Sequence, residues 1–255
     1  MHLNYKLIGK RGPAVLILHG LLGSSRNWLN IGRKLSDHYR VILPDLRNHG
    51  DSPHSTSMDY AVMSEDIVAL LNQLEIENPI LVGHSMGGKV AMWTALTQAR
   101  KFSKLIVVDI APTHYTSVFD RVVGYLQALP VDTLQRRVDV DSALAANISD
   151  AGLRQFLLQN LVLDDGRYRW RIDLDLFREF VPIISNFPDT SGLQPCLEDV
   201  LFIGGADSSY LHGEKQATIF RLFPNAQIKL IPACGHWLHA EKPTEFLTLF
   251  HDAVG

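Results

Sequence analysis

The segment Gly83-His84-Ser85-Met86-Gly87-Gly88 constrains the fold of this chain more than any other feature. It lies between a short apolar run at residues 80–82 and a stretch of helical composition at residues 89–96. A strand followed by G-x-S-x-G and a helix predicts a sharp turn with a strained serine, so the residues two before and two after it must be small. Both of those positions are glycine here. The pattern therefore predicts that the Ser85 hydroxyl stands clear of a sheet at a helix N-terminus, where free N–H groups favour negative charge.

Apolar runs alternate with helical patterns along most of the chain. The predicted strands are residues 15–18, 40–43, 79–82, 104–108, 200–203 and 227–231, and the predicted helices between and after them include residues 28–37, 60–74, 214–222 and 243–253. Continuous apolar strands separated by helices predict a parallel sheet that is covered on both faces. The fold class is therefore α/β.

A long segment without such strands interrupts this alternation. Its helical stretches are residues 118–129, 133–146, 152–161 and 174–181. An insertion between strands of a parallel sheet is expected to lie over their carboxyl ends, where ligands bind in open α/β sheets. We therefore expect a core of residues 1–111 and 196–255 and a helical cap of residues 112–195.

Composition and charge exclude several classes of protein. A chain of 255 residues suits one α/β domain with an insertion, and its net charge of -3 provides no basic stripe for nucleic acid. It has neither a signal-peptide pattern nor an apolar run of the ~20 residues that cross a membrane. Cys196 and Cys234 have no paired spacing, so we expect free thiols and a cytoplasmic location. A monomer or a homodimer is expected.

A serine hydroxyl is a weak nucleophile at neutral pH, so it needs a base and a third group that orients the base. His236 is the expected base because it lies between the last predicted strand and the last predicted helix. His239 and His251 lie within or beside that helix and are expected to serve in packing or at the surface. The His84 side chain is expected to point away from Ser85.

Two aspartates are candidates for the acid that orients His236. Asp109 ends the strand that follows the Ser85 helix, and Asp207 follows the first strand after the cap. Both lie at the carboxyl edge of the sheet, so the residues alone leave the choice open, and position in the general fold favours Asp207. The expected oxyanion hole consists of the Met86 N–H and the Leu21 N–H in a glycine-rich turn after the first inner strand.

Three segments resemble a known family. Residues 45–52, 83–89 and 108–112 are similar to those of the α/β-hydrolase superfamily and, within it, of YbfF-type bacterial esterases. The resemblance implies a mostly parallel eight-stranded sheet flanked by helices, with an inserted cap. It also implies hydrolysis of short- to medium-chain acyl esters, extending to acyl-CoA thioesters, with no cofactor and no metal. It favours Asp109 as the acid, with Asp207 in reserve or in support.

The substrate pocket is the least constrained part of this prediction. Its candidate residues are His19, Gly20, Leu22, Trp237, Ser208, Tyr210 and Trp170. The cap aromatics Phe119 and Phe156, with Leu126, serve either an acyl pocket or the core. Residues 47–49 either brace their loop or contact substrate, and the alternating arginines 167, 169 and 171 meet either an anionic group or solvent.

Two other functions remain open at this point. A lyase or carbon–carbon hydrolase of the same fold would use the same triad without turning over simple esters. A binding protein of this fold would show little turnover, and a fluorophosphonate probe would then fail to label Ser85.

Overall fold

The apolar runs form the central strands of one sheet in the computed structural model, which describes residues 1–98, 102–116 and 118–255. The strands are β1 (Tyr5–Ile8), β2 (Ala14–Leu18), β3 (Arg40–Pro44), β4 (Ile80–His84), β5 (Lys104–Val108), β6 (Leu161–Asp164), β7 (Arg167–Trp170), β8 (Val200–Gly205) and β9 (Gln227–Ile231). The sheet has the order β1-β3-β2-β4-β5-β8-β9, and β1 alone among these seven is antiparallel to its neighbour. Strands β2 and β4 are buried along their whole length, as strands covered on both faces must be.

The expectation of eight strands is wrong, because the described residues form a main sheet of seven. Strand β1 occupies the edge beside β3, and a short turn joins it directly to β2, so no segment remains there for another strand. Strand β1 itself is absent from the predicted strands because Tyr5–Ile8 is a short, half-polar edge segment rather than an apolar run.

Helices cover both faces of the sheet. They are α1 (Leu29–Leu35), α2 (Tyr60–Gln73), α3 (Met86–Thr97), α4 (Phe119–Ala128), α5 (Arg137–Ala145), α6 (Ala151–Leu158), α7 (Leu174–Ser185), α8 (Lys215–Leu222), α9 (Leu238–Glu241) and α10 (Pro243–Val254). Successive strand residues face opposite sides, so Leu16 packs into the core under α2 and α3, and Val15 into the core under α1 and α10. None of the helices in the described ranges is long and apolar enough to cross a lipid bilayer.

The segment between β5 and β8 contains α4 to α7, but it is not purely helical. Residues 161–170 form the antiparallel hairpin β6–β7. Asp165 and Gly166 form its turn, with φ of 45° and 77°. An Asp-Gly pair between two short apolar-alternating runs is a hairpin signal, because both turn residues need positive φ. We call residues 112–195 the insertion.

Candidate active site

The turn between β4 and α3 has the strained geometry that the glycine pattern predicts. Ser85 has φ 52° and ψ -118°, and its amide donates to the Val108 carbonyl at 3.0 Å. A Cβ added at Gly83 would lie 2.3 Å from the Gly87 carbonyl oxygen, and one at Gly87 would lie 2.6 Å from the carbonyl oxygen of His19. Only glycine fits at either position. The tight packing of the turn therefore explains both the two glycines of the sequence pattern and the strained backbone of Ser85.

Asp109 lies against the imidazole of His236. The His236 Nδ1 is 2.7 Å from Asp109 Oδ2, and the Asp109 side chain is fully buried. Asp109 also accepts hydrogen bonds from the Ser208 hydroxyl at 2.5 Å and from the Gly205 amide at 3.1 Å. Asp207 is exposed, and no hydrogen bond or ion pair joins it to His236 in the described part of the chain. Of the two aspartates that the sequence leaves open, the structure brings Asp109 to the imidazole.

The loop that carries His236 is held from two sides. His84 Nε2 donates to the His236 carbonyl oxygen at 2.9 Å. Glu241 accepts from the amides of Gly235 at 2.8 Å and Trp237 at 3.2 Å. Burial lowers the pKa of His84 well below its usual range, so this brace is a neutral imidazole. The sequence does not predict that His84 and Glu241 brace this loop. Both side chains bond to backbone atoms of residues 235–237, and such contacts leave no pattern in the sequence.

The turn after β2 presents a free amide beside Ser85. The Gly20 carbonyl accepts from His19 Nδ1 at 2.8 Å and from the Gly23 amide at 3.0 Å, which fixes the peptide that carries the Leu21 N–H. The Leu21 and Met86 amides donate to no other group in the described ranges. A Cβ at Gly20 would lie 3.3 Å from the Ser85 Cβ, so the turn lies directly against the serine.

Two buried histidines organise this turn. His19 donates from Nδ1 and accepts from the Leu46 amide at Nε2, 3.0 Å away. His49 donates from Nδ1 to the Arg47 carbonyl at 2.8 Å and accepts from the Leu22 amide at 3.1 Å. One donor and one acceptor on each ring require neutral imidazole. Burial agrees with this, because it lowers the pKa of His19 and lowers that of His49 to about 3.

Residues 47–49 brace their own loop. The buried Arg47 guanidinium donates to Asp66 at 2.7 Å, to the Ser57 carbonyl and hydroxyl at 3.0 Å, and to the Val62 carbonyl at 3.2 Å. Asn48 Oδ1 accepts from the Ser55 amide at 2.6 Å. These contacts occupy the Arg47 guanidinium and the Asn48 Oδ1, and both ring nitrogens of His49 are bonded as well, so the geometry supports the structural role.

A cavity of about 710 Å³ opens onto Ser85 and His236. Its lining includes the aromatic side chains of Trp28, Phe119, Phe156 and Trp237, the amides of Gln155 and Gln159, and the charged residues Arg26, Asp150 and Glu241. Gly20 and Trp237 are the residues from the predicted pocket that line it. A cavity of this size with apolar walls and a few polar groups is typical of a small-molecule site.

Three of the predicted pocket residues lie behind the cavity wall. His19 and Leu22 are almost fully buried within the turn after β2, where hydrogen bonds occupy their polar groups. Ser208 is directed to the Asp109 carboxylate rather than to the cavity. Each therefore acts through a neighbour and not on a ligand directly.

The other two predicted pocket residues also lie outside the cavity lining. Tyr210 packs on the imidazole of His236, with ring centroids 4.6 Å apart. Trp170 donates from its indole N–H to the Leu126 carbonyl at 3.1 Å, inside the insertion. Trp170 and Leu126 therefore belong to the hydrophobic packing of the insertion.

The alternating arginines are mostly paired within the chain. Arg169 forms an ion pair with Asp164 at 2.7 Å across the hairpin, and Arg171 pairs with Asp51 of the core. Arg167 is exposed at the hairpin turn. The geometry gives no common anion site for the three side chains.

Lys89 is a fully buried lysine whose side chain links α3 to the insertion. Its Nζ donates to the carbonyls of Thr113, Ser185 and Asn186 at 2.8, 3.1 and 2.9 Å, and it lies 4.2 Å from the centroid of the Tyr115 ring. Burial lowers the pKa of Lys89 to about 6. Three carbonyl oxygens match the three N–H groups of an ammonium, and together they offset part of that desolvation.

A sequence model of the alpha/beta hydrolase fold family matches residues 13–243. The chain belongs to this family. It is 39% identical over 247 residues to the sn-1-specific diacylglycerol lipase ABHD11 of Xenopus laevis. This match covers 92% of this chain and 78% of the lipase. It is 31% identical over 234 residues to esterase YbfF of Escherichia coli, with 91% and 89% covered.

The solved structure of a marine microorganism esterase superposes with a TM-score of 0.95 at 34% identity and covers 99% of both chains. Together these likenesses confirm the predicted family, the α/β-hydrolase fold and the predicted class of enzyme, a serine ester hydrolase. They give no support to the acyl-CoA thioester part of the expectation.

Proposed function

We propose that this chain hydrolyses short- to medium-chain carboxylic esters through an acyl-enzyme on Ser85, with His236 as base and Asp109 as its orienting acid. One observation carries the proposal. Ser85 and His236 line the same cavity, and His236 Nδ1 lies 2.7 Å from the buried Asp109 carboxylate. A serine, a histidine and a carboxylate in this relation form the arrangement that activates a hydroxyl nucleophile.

Acylation follows from the hydrogen bonds. Because the His236 Nδ1–H donates to Asp109, the Nε2 lone pair is left to accept the proton of Ser85. As the Ser85 oxygen bonds to the ester carbon, the carbonyl oxygen gains a negative charge. The Leu21 and Met86 amides, which have no other acceptor among the described residues, then donate to it. Collapse of this intermediate expels the alcohol, which takes its proton from His236.

Deacylation reverses the roles with water. His236 accepts a proton from water, the hydroxide attacks the acyl-enzyme, and the same two amides hold the second oxyanion. Collapse returns the proton to Ser85 and releases the carboxylic acid. The imidazolium that forms in each half-reaction is stabilised by Asp109, whose Oδ1 and Oδ2 are fixed by Gly205 and Ser208.

The substrate class follows from the cavity wall and the insertion. Phe119 and Phe156 of the insertion line the cavity with Trp28 of the core, which suits an acyl chain. We propose that residues 112–195 act as the cap over the site. The diacylglycerol lipase relatives suggest an acylglycerol as one natural substrate of this enzyme as well.

Initial rates on p-nitrophenyl esters of graded acyl length, with a diacylglycerol and an acyl-CoA series beside them, test the proposal. Ser85→Ala should abolish ester turnover and fluorophosphonate labelling. Asp109→Asn should lower kcat by about 10³- to 10⁴-fold, because the imidazole loses its orienting charge. Asp207→Asn is the matched control and should stay within about 3-fold of wild type, as expected for an exposed surface residue. The reverse ranking of the two aspartate variants would refute the assignment of the acid.

Two further outcomes separate the rival functions. Labelling of Ser85 without turnover of any ester would favour a lyase or carbon–carbon hydrolase. The absence of both labelling and ester turnover would favour a binding protein.

We also propose a cytoplasmic monomer or homodimer. Cys196 and Cys234 are free thiols, and burial raises the pKa of both, which suits unreactive cysteines in a reducing compartment. Subcellular fractionation and light scattering of the purified protein test location and assembly.

A further inference from the structure

The turn that supplies the Leu21 amide contains a residue in an unfavourable conformation. Leu22 has φ 60°, in the left-handed region that side chains larger than those of Asn and Asp seldom occupy. Such a conformation persists only when surrounding contacts hold it. The contacts that hold Leu22 therefore act together with the hydrogen bonds to the Gly20 carbonyl in setting the direction of the neighbouring Leu21 N–H.

Leu22 is held at both of its backbone polar groups. Its N–H donates to His49 Nε2 at 3.1 Å, and its carbonyl accepts from Asn160 Nδ2 at 2.8 Å. Both hydrogen bonds are buried, so each is electrostatically stronger than a hydrogen bond exposed to solvent. The two partners differ in origin, because His49 belongs to the core, whereas Asn160 belongs to the insertion.

Asn160 is itself rigidly placed. Its side chain is nearly fully buried. Its backbone amide donates to the Leu157 carbonyl at 3.0 Å, and its backbone carbonyl accepts from the Arg171 amide at 2.8 Å. It follows the C-terminal end of α6, and a second link from the same segment joins Gln159 Oε1 to Asn27 Nδ2 at 2.9 Å. The segment 159–160 is therefore docked on residues 22–27 by two side-chain amides.

The same helix forms part of the cavity wall. Gly152, Gln155, Phe156 and Gln159 all line the cavity that opens onto Ser85. A ligand in the cavity consequently contacts the helix that ends two residues before Asn160, whose side chain holds the Leu22 carbonyl.

We infer that Asn160 is a positioning residue for the oxyanion hole and makes the geometry of the hole depend on the docking of α6. This rests on the proposed function, in which the Leu21 N–H stabilises the oxyanion. With α6 docked, Asn160 keeps Leu22 left-handed and the Leu21 N–H faces the reacting carbonyl. An acyl chain that packs against α6 stabilises the docked position, so a substrate that fills the cavity also completes the hole.

The test compares wild type with Asn160→Leu, which has a similar side-chain volume but no donor. Two inhibitors with the same acyl chain separate the effects. A trifluoromethyl ketone adds Ser85 and places an oxyanion in the hole, whereas the corresponding alcohol fills the cavity without one. We expect kcat on a p-nitrophenyl ester and the affinity for the ketone to fall together by about 10- to 100-fold, part of what loss of a whole oxyanion donor produces. KM and the affinity for the alcohol should change by no more than about 2-fold.

Arg171→Gln is the matched control, because it removes another contact between insertion and core but leaves the Leu22 carbonyl bonded. It should keep wild-type kcat and ketone affinity. A loss in Arg171→Gln equal to that in Asn160→Leu would overturn the assignment to Asn160 and attribute the effect to general docking of the insertion.

A purely structural role for Asn160 predicts a lower Tm with unchanged kcat and ketone affinity, and that result also overturns the inference. If Asn160→Leu does not fold, Asn160→Ala is judged by the same comparison of the two inhibitors. A wild type that turns over no ester contradicts the proposed function. A wild type that is active, with Asn160 variants equally active, contradicts only this inference.

Discussion

The strain at Ser85 can be measured by replacing the residue with alanine and with glycine. Both substitutions remove the hydroxyl, so they differ only in the Cβ atom. With φ 52° and ψ -118°, Ser85 lies in a sparsely populated backbone region, where a residue with a Cβ is destabilised by about 1–3 kcal/mol. Alanine keeps this strain and glycine relieves it.

The expected difference is the strain reduced by one opposing effect. Glycine loses more backbone entropy on folding than alanine, which opposes the gain by about 0.4–1 kcal/mol. The Ser85 side chain lines the open cavity, so loss of the Cβ leaves no sealed void. We therefore expect Ser85→Gly to be more stable than Ser85→Ala by about 1 kcal/mol, which corresponds to roughly 2–4 °C in Tm for a chain of this size.

Differential scanning calorimetry of the two variants gives the measurement, and Ser142 provides the control. Ser142 is exposed in the middle of α5, where glycine should be less stable than alanine by about 1 kcal/mol. The Gly–Ala difference is thus expected to have opposite signs at the two serines. The same sign at both positions would show that the turn stores no strain at Ser85.

Two further predictions concern stability. Burial lowers the pKa of His49 and of His239 to about 3 from about 6.5 in the unfolded chain, so the unfolded state binds more protons between these values and stability is complete only above pH 6.5. Urea unfolding should therefore give a free energy at pH 5 lower than at pH 7 by about 2 kcal/mol for each histidine, and equal values would contradict the burial argument. Gly87→Ala should destabilise by about 3 kcal/mol, because its Cβ would meet backbone oxygens at 2.6 Å. Gly124→Ala, in α4 with open space around it, should stabilise by up to about 1 kcal/mol; chemical denaturation measures both, and similar effects would refute the steric reasoning.

Local sequence patterns predicted most strands of the sheet and the turn at Ser85. The apolar runs identified six of the seven strands of the sheet, and the spacing of Gly83 and Gly87 around Ser85 predicted the strained turn. The hairpin of the insertion was predictable too, since Asp165-Gly166 is its turn signal, but the surrounding helical composition obscured it. Strand β1 is an edge strand with one partner, and its half-polar sequence reflects that position.

The acid was harder to predict because its choice depends on side-chain packing and not on strand order. Asp109 and Asp207 both follow strands at the carboxyl edge, so the topology allows either. What distinguishes them is local. Asp109 has φ 50° and accepts from Gly205 and Ser208, contacts that place its carboxylate against the imidazole. Long-range contacts of this kind leave no periodic trace in a single sequence, and the same holds for Asn160.

The histidines around the site show why burial matters to the proposed chemistry. His84 lies with its ring centroid 4.6 Å from that of His236, and it holds the His236 carbonyl through Nε2. If His84 were charged, it would oppose the imidazolium that forms on His236 by about 4 kcal/mol at an effective dielectric constant of 20. Burial lowers its pKa instead, as it does at the neighbouring His239, so both rings stay neutral. His84 can therefore brace the catalytic loop as a hydrogen-bond donor without opposing the positive charge that Asp109 is placed to stabilise.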